Sequence, residues 1–315
     1  MALALLADIG GTNTRVALAD GARVRAASIR RYANAEFADL GAVLRRYLVD
    51  EGAGGVDGVC VAAAGPVRGG VAVMTNLDWV IDAPLLTAAT GAGRTAILND
   101  LQAQGHALGF IADADLAEVI AGPAQAGAAM LVVGVGTGMN AAPVHGSGAQ
   151  RLVAPSECGH ISMPIRTQRD FDLAQFLATT GPHAHGFAGV EDVLAGRGLE
   201  RLYAFASGND GVAAAEVMAR LAAGEAHARE AARLYVAILG AELGNLALIH
   251  LPFGGIYLIG GVARAMAPYF GEMGLGQAFC DKGRFAEFMG NFRVQLVEDD
   301  YAALTGCAAY LDSIS

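Results

Sequence analysis

The chain has 315 residues, of which 54% are hydrophobic and 17% charged. It is therefore too apolar and too weakly charged for an intrinsically disordered segment, and at about 150 residues per domain its length predicts two globular domains. Lysine and arginine total 21 against 31 aspartate and glutamate residues, a net charge of −10. That balance argues against a nucleic-acid partner, because neutralising phosphates requires clustered basic side chains.

The basic side of this balance is almost entirely arginine, because Lys282 is the single lysine of the chain. A Walker A loop or a Schiff-base lysine would have to use it, and the sequence around Lys282 matches neither pattern. Small anions remain possible ligands through local backbone sites.

The sequence also bears on membranes and redox compartment. No apolar run reaches the roughly 18 residues of a spanning helix, and the apolar start, residues 1–7, lacks a basic region and meets Asp8 at once, which predicts a strand and not a signal peptide. The cysteines lie far apart with no CxxC pair and are predicted to be free thiols: Cys60, Cys158, Cys280 and Cys307. We therefore expect a cytoplasmic protein with no membrane partner.

Apolar runs and turn residues predict the elements in chain order. Strands are predicted over residues 3–8, 15–19, 58–64, 71–74, 95–98, 129–134 and 255–259. Helices are predicted from residue 34 to Gly52 and over residues 84–89, 100–109, 193–203, 226–250 and 301–311. Strands that alternate with helices indicate α/β layers, and a turn-rich stretch places a domain boundary near residue 110.

Two glycine loops each follow a buried strand, one in each predicted domain, as a weak internal repeat. The first is Asp8-Ile9-Gly10-Gly11-Thr12-Asn13 and the second is residues 134–138. Bare glycine backbone lets amide N–H groups approach an anion, although an ordinary hairpin tip explains either loop alone. Together with Gly260-Gly261 they could surround a nucleotide, with Asp8 near a Mg²⁺ ion that bridges phosphates.

Asn99 and Asp100 stand where a predicted strand ends and a helix begins. Either residue there is simply explained as a helix N-cap. The carboxyl end of a strand is also where open α/β sheets bind ligands, and a buried carboxylate could accept a hydroxyl proton there during phosphoryl transfer. Both interpretations remain open on position alone.

The loop of residues 156–160 brings together Glu157, Cys158 and His160. No further ligands follow at zinc spacing, so Glu157 and His160 suit recognition of a polyol's hydroxyl groups better than metal binding. A solvated loop is the alternative. Glu191 alone reads as an ordinary acid in the first turn of a helix, and His183 and His185 are assigned to a turn.

In their order along the chain, these motifs resemble those of bacterial glucokinases. The resemblance covers essentially the whole chain, and the joint match is far more specific than any one motif. It rests on residues 8–15, 64–67, 74–76, 99–100, 134–138, 157–160, 193–196, 254–262 and 281–285.

The resemblance implies the two-domain actin-like ATPase fold, which is ribonuclease H-like, in its hexokinase-like branch, with a sugar and nucleotide cleft between two α/β domains. It implies a small domain of residues 1–110, completed by the C-terminal helix at 301–315, and a large domain of residues 111–300. It also implies a homodimer.

The resemblance further implies that ATP phosphorylates the 6-hydroxyl of D-glucose, giving ADP and the glucose 6-phosphate that enters glycolysis. Asp100 would be the general base, and the sugar hydroxyls would bind Asn99, Asp100, Glu157, His160 and Glu191. The phosphates with Mg²⁺ would bind Asp8, Ile9, Gly10, Gly11, Thr12, Asn13, Thr137 and Gly138. Gly260 and Gly261 would lie near the adenosine.

Two positions depart from the family's pattern. The second phosphate loop usually ends Gly-Thr-Gly-x-Gly, whereas here the last position is Asn140, expected to place a side chain beside the nucleotide and to tolerate a positive φ. The sugar loop usually reads Glu-Gly-Gly-His, and Cys158 replaces its first glycine. ATP affinity and sugar choice are therefore less firmly implied than the reaction class.

Three other functions are alternatives to a glucokinase: a kinase for another hexose, a repressor and a filament-forming ATPase. The nearest rival is a kinase for fructose, mannose or N-acetylmannosamine, and polyphosphate or ADP replaces ATP in some sugar kinases. A sugar-responsive repressor is expected to carry a helix-turn-helix ahead of the fold and a Cys/His zinc motif after His160, where the chain has none. A filament-forming ATPase has no reason to combine Asn99 and Asp100 with Glu157 and His160.

Overall fold

The computed structural model describes residues 3–74, 77–181 and 184–314. Thr75 and Asn76, in the family motif at 74–76, and His183 lie outside the described residues. Two compact units emerge: unit 1 comprises Met1–Asp115, Ser147–Val153 and Asp299–Ser315, and unit 2 comprises Leu116–Gly146 and Ala154–Glu298. We propose these units as the two domains, and the predicted boundaries at 110 and 300 stay a prediction.

The strands are β1 Leu3–Ile9, β2 Asn13–Asp20, β3 Arg23–Val24, β4 Arg30–Ala33, β5 Gly58–Ala63, β6 Val67–Arg68, β7 Val71–Val73, β8 Val80–Ile81, β9 Arg94–Asn99, β10 Leu116–Ile120, β11 Met130–Val135, β12 Met139–His145, β13 Leu152–Val153, β14 Gly255–Ile259 and β15 Val294–Val297. The α-helices are α1 Leu40–Asp50, α2 Ala83–Thr90, α3 Asp100–Ala107, α4 Gln168–Thr179, α5 Glu191–Leu194, α6 Gly196–Ser207, α7 Ala214–Ala222, α8 Ala226–His250, α9 Gly261–Phe270, α10 Leu275–Cys280 and α11 Ala302–Ser313.

The main sheet of unit 1 has the order β3-β2-β1-β5-β9, with β4 also pairing with β2. β1 and β2 form an antiparallel hairpin, while β1, β5 and β9 run parallel. Successive side chains of a strand point to opposite faces, so Leu5 packs into the core on one face and Leu6 into the core on the other. Both faces are therefore covered, which explains the unbroken apolar run of β5.

Helices cover both faces of this sheet. α1 and α2 pack against each other, as do α3 and α11. The second pair approaches closely at Gly306, where an added Cβ would lie 1.7 Å from the carbonyl oxygen of Ala103. The C-terminal helix is thus part of unit 1.

The sheet of unit 2 contains β10-β15-β14-β11-β12 in that order. β11 and β12 form an antiparallel hairpin, and β11, β14 and β15 run parallel. Because unit 1 has the same hairpin followed by two parallel neighbours, the weak repeat of glycine loops reflects a repeated strand topology.

The long helix α8 provides much of the core of unit 2, including the fully buried Tyr235 and Leu239. Among the described residues it alone is long and apolar enough to cross a membrane, and 72% of its most apolar 18-residue stretch is buried inside the protein. The sequence did not predict α8 as a candidate span, and the packing of α8 in the core accounts for its apolarity.

Two predicted helices differ from those observed. The helix expected from residue 34 begins only at Leu40, because the Asp39 side chain caps it by accepting the N–H of Ala42 at 2.7 Å. The run at 193–203 is two helices, α5 and α6, because Ala195 between them has an extended backbone with ψ of 173°.

Candidate active site

In unit 1, the predicted phosphate loop and the Asn99-Asp100 pair lie at one edge of the sheet. In the parallel register, Ile9 of β1 is opposite Ala63 of β5, and Ala63 is opposite Asn99 of β9. Asp8 therefore stands near the carboxyl end of β1, and Asp100 directly follows the carboxyl end of β9. Open α/β sheets bind their ligands at this edge.

The glycine loop between β1 and β2 is closed by its own backbone and by Asn34. The N–H of Gly10 donates to the carbonyl of Asn13 at 3.0 Å, and Asn34 Nδ2 donates to the carbonyl of Gly10 at 2.8 Å. Gly11 and Thr12 form the exposed tip. Backbone groups at such a tip are available to an anion.

Asp8 is paired across the hairpin with Arg15. The two residues are opposite each other in the register, and Arg15 Nη1 donates to Asp8 Oδ2 at 3.0 Å. Burial raises the pKa of Asp8 above its ordinary value, although the Arg15 guanidinium opposes that rise. Sequence reasoning assigned no role to Arg15, whose position opposite Asp8 in the predicted hairpin was the signal available.

Asn99 is the N-cap of α3, as the capping interpretation predicted. Its Oδ1 accepts the N–H of Leu101 at 3.0 Å, and the N–H of Asn99 donates to Gln102 Oε1 at 3.2 Å, which completes a capping box. Asn99 Nδ2 donates to the carbonyl of Gly65 at 3.0 Å. Asn99 thus joins the end of β9 to the 64–67 segment, and its contact with a sugar stays a prediction.

The carboxylate of Asp100 has an unusual proton affinity. It accepts the N–H of Leu101 at 2.8 Å, which favours the charged form. Burial nevertheless raises the pKa of Asp100 to about 6, and the negative charge of Asp8 adds to the rise. A carboxylate with this pKa is a more effective proton acceptor near neutral pH than one with an ordinary pKa.

In unit 2, the two predicted nucleotide loops lie at the carboxyl ends of the parallel neighbours β11 and β14. Gly260 has a φ of 106°, and an added Cβ there would lie 2.3 Å from the carbonyl oxygen of Val135. Only glycine satisfies both conditions. The structure thereby brings Gly260 and Gly261, at the start of α9, next to the end of the strand that leads into Thr137 and Gly138.

Glu191, the first residue of α5, lies against this second loop. Its Oε2 accepts the N–H of Met139 at 3.0 Å, and its Oε1 is paired with Arg197 of α6. An added Cβ at Gly138 would lie 2.6 Å from Glu191 Oε2, so a side chain there would displace the Glu191 carboxylate. Arg197 could not be identified from the sequence, because its pairing with Glu191 depends on the break between α5 and α6.

The predicted sugar loop packs on the start of β12. An added Cβ at Gly159 would lie 2.0 Å from the carbonyl oxygen of Met139, so this close approach requires glycine. Cys158–His160 form a 3₁₀ turn, in which the N–H of His160 donates to the carbonyl of Glu157 at 3.1 Å. Residues three apart lie on the same side of such a turn, and Glu157 and His160 are both exposed.

Asn140 does not need its tolerance of a positive φ in this loop. Asn140 lies in β12, paired with Gly134 of β11, and Leu251 is the one non-glycine residue with a positive φ among the described residues. The side chain of Asn140 is directed to the sugar loop, where its Nδ2 donates to the carbonyl of Ser156 at 2.5 Å. Extended strand geometry accommodates any side chain, so no glycine is needed at this position.

Cys158 is half-buried beside Asn140. Burial raises the pKa of its thiol, which keeps it protonated at neutral pH and lowers its reactivity. In the part of the chain that the structure describes, all four cysteines are free, as predicted.

No group of three His, Cys, Asp or Glu side chains that could hold a metal ion occurs within residues 3–74, 77–181 and 184–314. Asp8 is therefore a candidate Mg²⁺ ligand only as a single carboxylate. Mg²⁺ in phosphoryl-transfer sites is bound by one or two carboxylates together with substrate phosphates and water. Asp8 at the end of β1, beside the glycine loop, fits that donor set.

A cavity of about 770 Å³ in unit 1 lies away from these residues. Its lining includes Ala4, near the opposite end of β1 from Asp8, together with Asp20, Arg94 and Asp312. The candidate site residues do not line it, so the site is defined by its side chains and loops and not by this cavity.

Comparisons with known proteins identify the family and the fold. A family model described as Glucokinase matches residues 5–314. A glucokinase of Pseudomonas aeruginosa is 33% identical, with 98% of this chain and 94% of the relative covered. A glucokinase structure from an Antarctic psychrotroph superposes with a TM-score of 0.87 at 28% identity, covering 98% of each chain.

The bifunctional protein glk of Burkholderia thailandensis is 32% identical, with 98% of this chain and 48% of the relative covered. The chain spans about half the length of this relative and of two further Burkholderia proteins of the same name. The solved structures share the predicted two-domain actin-like ATPase fold. Because the family model matches residues 5–314, nearly all of the chain, the chain belongs to the glucokinase family.

Proposed function

We propose that the protein transfers the γ-phosphoryl group of ATP to the 6-hydroxyl of D-glucose, giving glucose 6-phosphate and ADP. The observation that carries this proposal is Asp100, whose pKa of about 6 and position at the carboxyl edge of a sheet suit a general base. Membership of the glucokinase family supports the choice of substrates.

In this mechanism the sugar's 6-oxygen attacks the γ-phosphorus, and the bond to the β,γ-bridging oxygen breaks as ADP leaves. The hydroxyl proton passes to the carboxylate of Asp100. Little covalent chemistry is required of the protein, so positioning and charge stabilisation supply most of the rate.

The remaining predicted residues take positioning roles in the proposal. Asn99 at the end of β9, Glu191 at the start of α5, and Glu157 and His160 on the sugar loop bind sugar hydroxyls as acceptors and donors. The glycine loops at residues 8–13 and 137–138 bind phosphates through backbone N–H groups, and Gly260 and Gly261 lie beside the adenosine.

Mg²⁺ is proposed at Asp8. When bound, the ion would neutralise charge on the transferring phosphates. Burial favours proton uptake by Asp8, and a cation at its carboxylate would restore the ionised form.

We further propose a cytoplasmic homodimer without nucleic-acid or membrane partners. The net charge of −10 disfavours nucleic acid, and free cysteines suit a reducing compartment. Chromatography with light scattering would measure the oligomer directly.

The proposed activity is tested by a dehydrogenase-coupled assay of glucose 6-phosphate formed from ATP, Mg²⁺ and glucose. A hexose panel with fructose, mannose and N-acetylmannosamine is read by ADP release. Asp100→Ala should reduce product formation to background, whereas Asp113→Ala, an exposed acid of the same unit, should leave it unchanged.

Each outcome of that assay is informative. Turnover of another hexose without glucose turnover would retain the chemistry and change the substrate. Full turnover by a folded Asp100→Ala variant would refute Asp100 as the base, and no turnover of any hexose by the unmodified protein would refute the proposed function.

A further inference from the structure

The two positions that depart from the family's loop patterns, Asn140 and Cys158, contact each other. Asn140 is the second residue of β12, and Cys158 begins the 3₁₀ turn of the sugar loop. The N–H of Cys158 donates to Asn140 Oδ1 at 3.2 Å, and its Sγ lies 3.5 Å from the same oxygen. Asn140 and Cys158 therefore belong to one hydrogen-bonded cluster.

Both ends of the Asn140 amide bind three successive residues of the sugar loop. Oδ1 accepts from Ser156 Oγ at 3.0 Å as well as from the backbone of Cys158. Nδ2 donates to the carbonyl of Ser156 at 2.5 Å and to Glu157 Oε2 at 3.3 Å. A glycine at position 140 could make none of these bonds.

Asn140 itself is fixed from the opposite side. Its backbone belongs to β12, which pairs with β11, and its Oδ1 also accepts the N–H of Ala141 at 2.8 Å. A strand residue is thus hydrogen-bonded to an exposed carboxylate, Glu157, on an irregular loop. Sites held by side chains of regular elements are more exact than sites held by loops alone.

We propose that Asn140 is a positioning residue that orients Glu157 and the 156–158 backbone to bind the hexose. This inference rests on the proposed function, in which Glu157 accepts a sugar hydroxyl. Asn140 would affect sugar binding more than nucleotide binding, because its side-chain hydrogen bonds go to the sugar loop and to the neighbouring N–H of Ala141.

The test compares Asn140→Ala, Asn140→Asp and a control, Asn291→Ala, which removes a surface side chain whose Nδ2 donates to the carbonyl of Phe288 at 2.7 Å. Calorimetry measures glucose and ADP binding to each full-length protein, and steady-state kinetics give KM and kcat. Asn140→Ala should weaken glucose binding about 10-fold, as expected for loss of a hydrogen-bonded anchor to a charged group. ADP binding should change less than about 3-fold, and Asn291→Ala should match the unmodified protein.

Asn140→Asp separates positioning of Glu157 from simple support of the loop. Aspartate retains an acceptor for Ser156 Oγ and the N–H of Cys158. It replaces Nδ2, the donor to Glu157 and to the Ser156 carbonyl, with a negatively charged oxygen. Positioning predicts glucose binding as weak as in Asn140→Ala, because the two carboxylates repel each other. Loop support alone predicts a smaller loss than in Asn140→Ala, because the acceptor bonds to Ser156 Oγ and the N–H of Cys158 remain.

Failure of the inference and failure of the proposed function give different results. Unmodified protein that binds glucose, together with Asn140→Ala that binds it equally well, overturns the role of Asn140 only. Equal losses of glucose and ADP binding also overturn it, because they indicate a general structural role. Unmodified protein that binds and phosphorylates no hexose overturns the proposed function, and this inference with it.

Discussion

Asp100 of unit 1 and Glu191 of unit 2 are both predicted site carboxylates that accept a backbone N–H, yet their surroundings differ. Asp100 is buried close to the negative charge of Asp8, which raises its pKa to about 6. Glu191 accepts the N–H of Met139 and is paired with Arg197. The first environment favours proton uptake, and the second holds the carboxylate in place through its bonds to Met139 and Arg197. The contrast assigns chemistry to one carboxylate and positioning to the other.

The largest effect is expected for Asp100→Asn, which keeps the size of the side chain and removes its ability to take a proton. Loss of a general base reduces kcat/KM by about 10²–10⁴-fold. Glucose binding, measured by calorimetry, should change little, because asparagine can still accept the N–H of Leu101. A variant that retains both binding and turnover would show that the contrast between the two carboxylates is wrong.

The same substitution should stabilise the protein at neutral and higher pH. The folded-state pKa of about 6 lies about two units above the ordinary 3.8, and each unit is worth about 1.4 kcal/mol, so the gain in free energy of unfolding is about 1–3 kcal/mol.

The sign of this gain follows from proton linkage. Asp100 favours folding fully below pH 3.8, and that contribution is lost as the pH rises through about 6. Asp100→Asn should thus be more stable than the unmodified protein in urea at pH 8 and equally stable near pH 4. A difference that grows toward acid pH would contradict the raised pKa.

A smaller effect is expected for Glu191→Gln, which keeps an acceptor and removes the charge. The glucose KM should rise about 10-fold with kcat largely retained, because one charge-assisted hydrogen bond is weakened. Glu216→Gln is the matched control, since Glu216 pairs with Arg220 on the surface of α7. If kcat fell more than KM rose, Glu191 would have a role in the chemical step.

The contrast shows what the sequence could and could not predict. Apolar runs located β1, β5, β9, β11 and β14, and because these strands run parallel in two sheets, the residues that follow them meet at a sheet edge. That geometry explains why Asp8 and Asp100 lie at one sheet edge in unit 1, and why the second glycine loop and Gly260 lie at one edge in unit 2.

The hydrogen-bond partners could not be predicted in the same way. Arg197 reaches Glu191 only because the backbone extends at Ala195, a break that helical periodicity does not reveal. The expectation for Asn140 came from the glycine that the family's loop usually has there. Pairing of β12 with β11 instead determines the φ of Asn140 and the direction of its side chain. The return of Ser147–Val153 to unit 1 likewise depends on contacts distant in sequence.

The most direct test of the account is the pH dependence of kcat/KM for glucose, measured from pH 5 to 9 with the unmodified protein and Asp100→Asn. Because kcat/KM reports ionisation of the free protein, and the base must be unprotonated, kcat/KM should rise with pH and reach half its plateau near pH 6. The residual activity of Asp100→Asn should lack this rise. A profile for the unmodified protein that is flat down to pH 5, or an unchanged rise in Asp100→Asn, would contradict the assignment of Asp100 as the base.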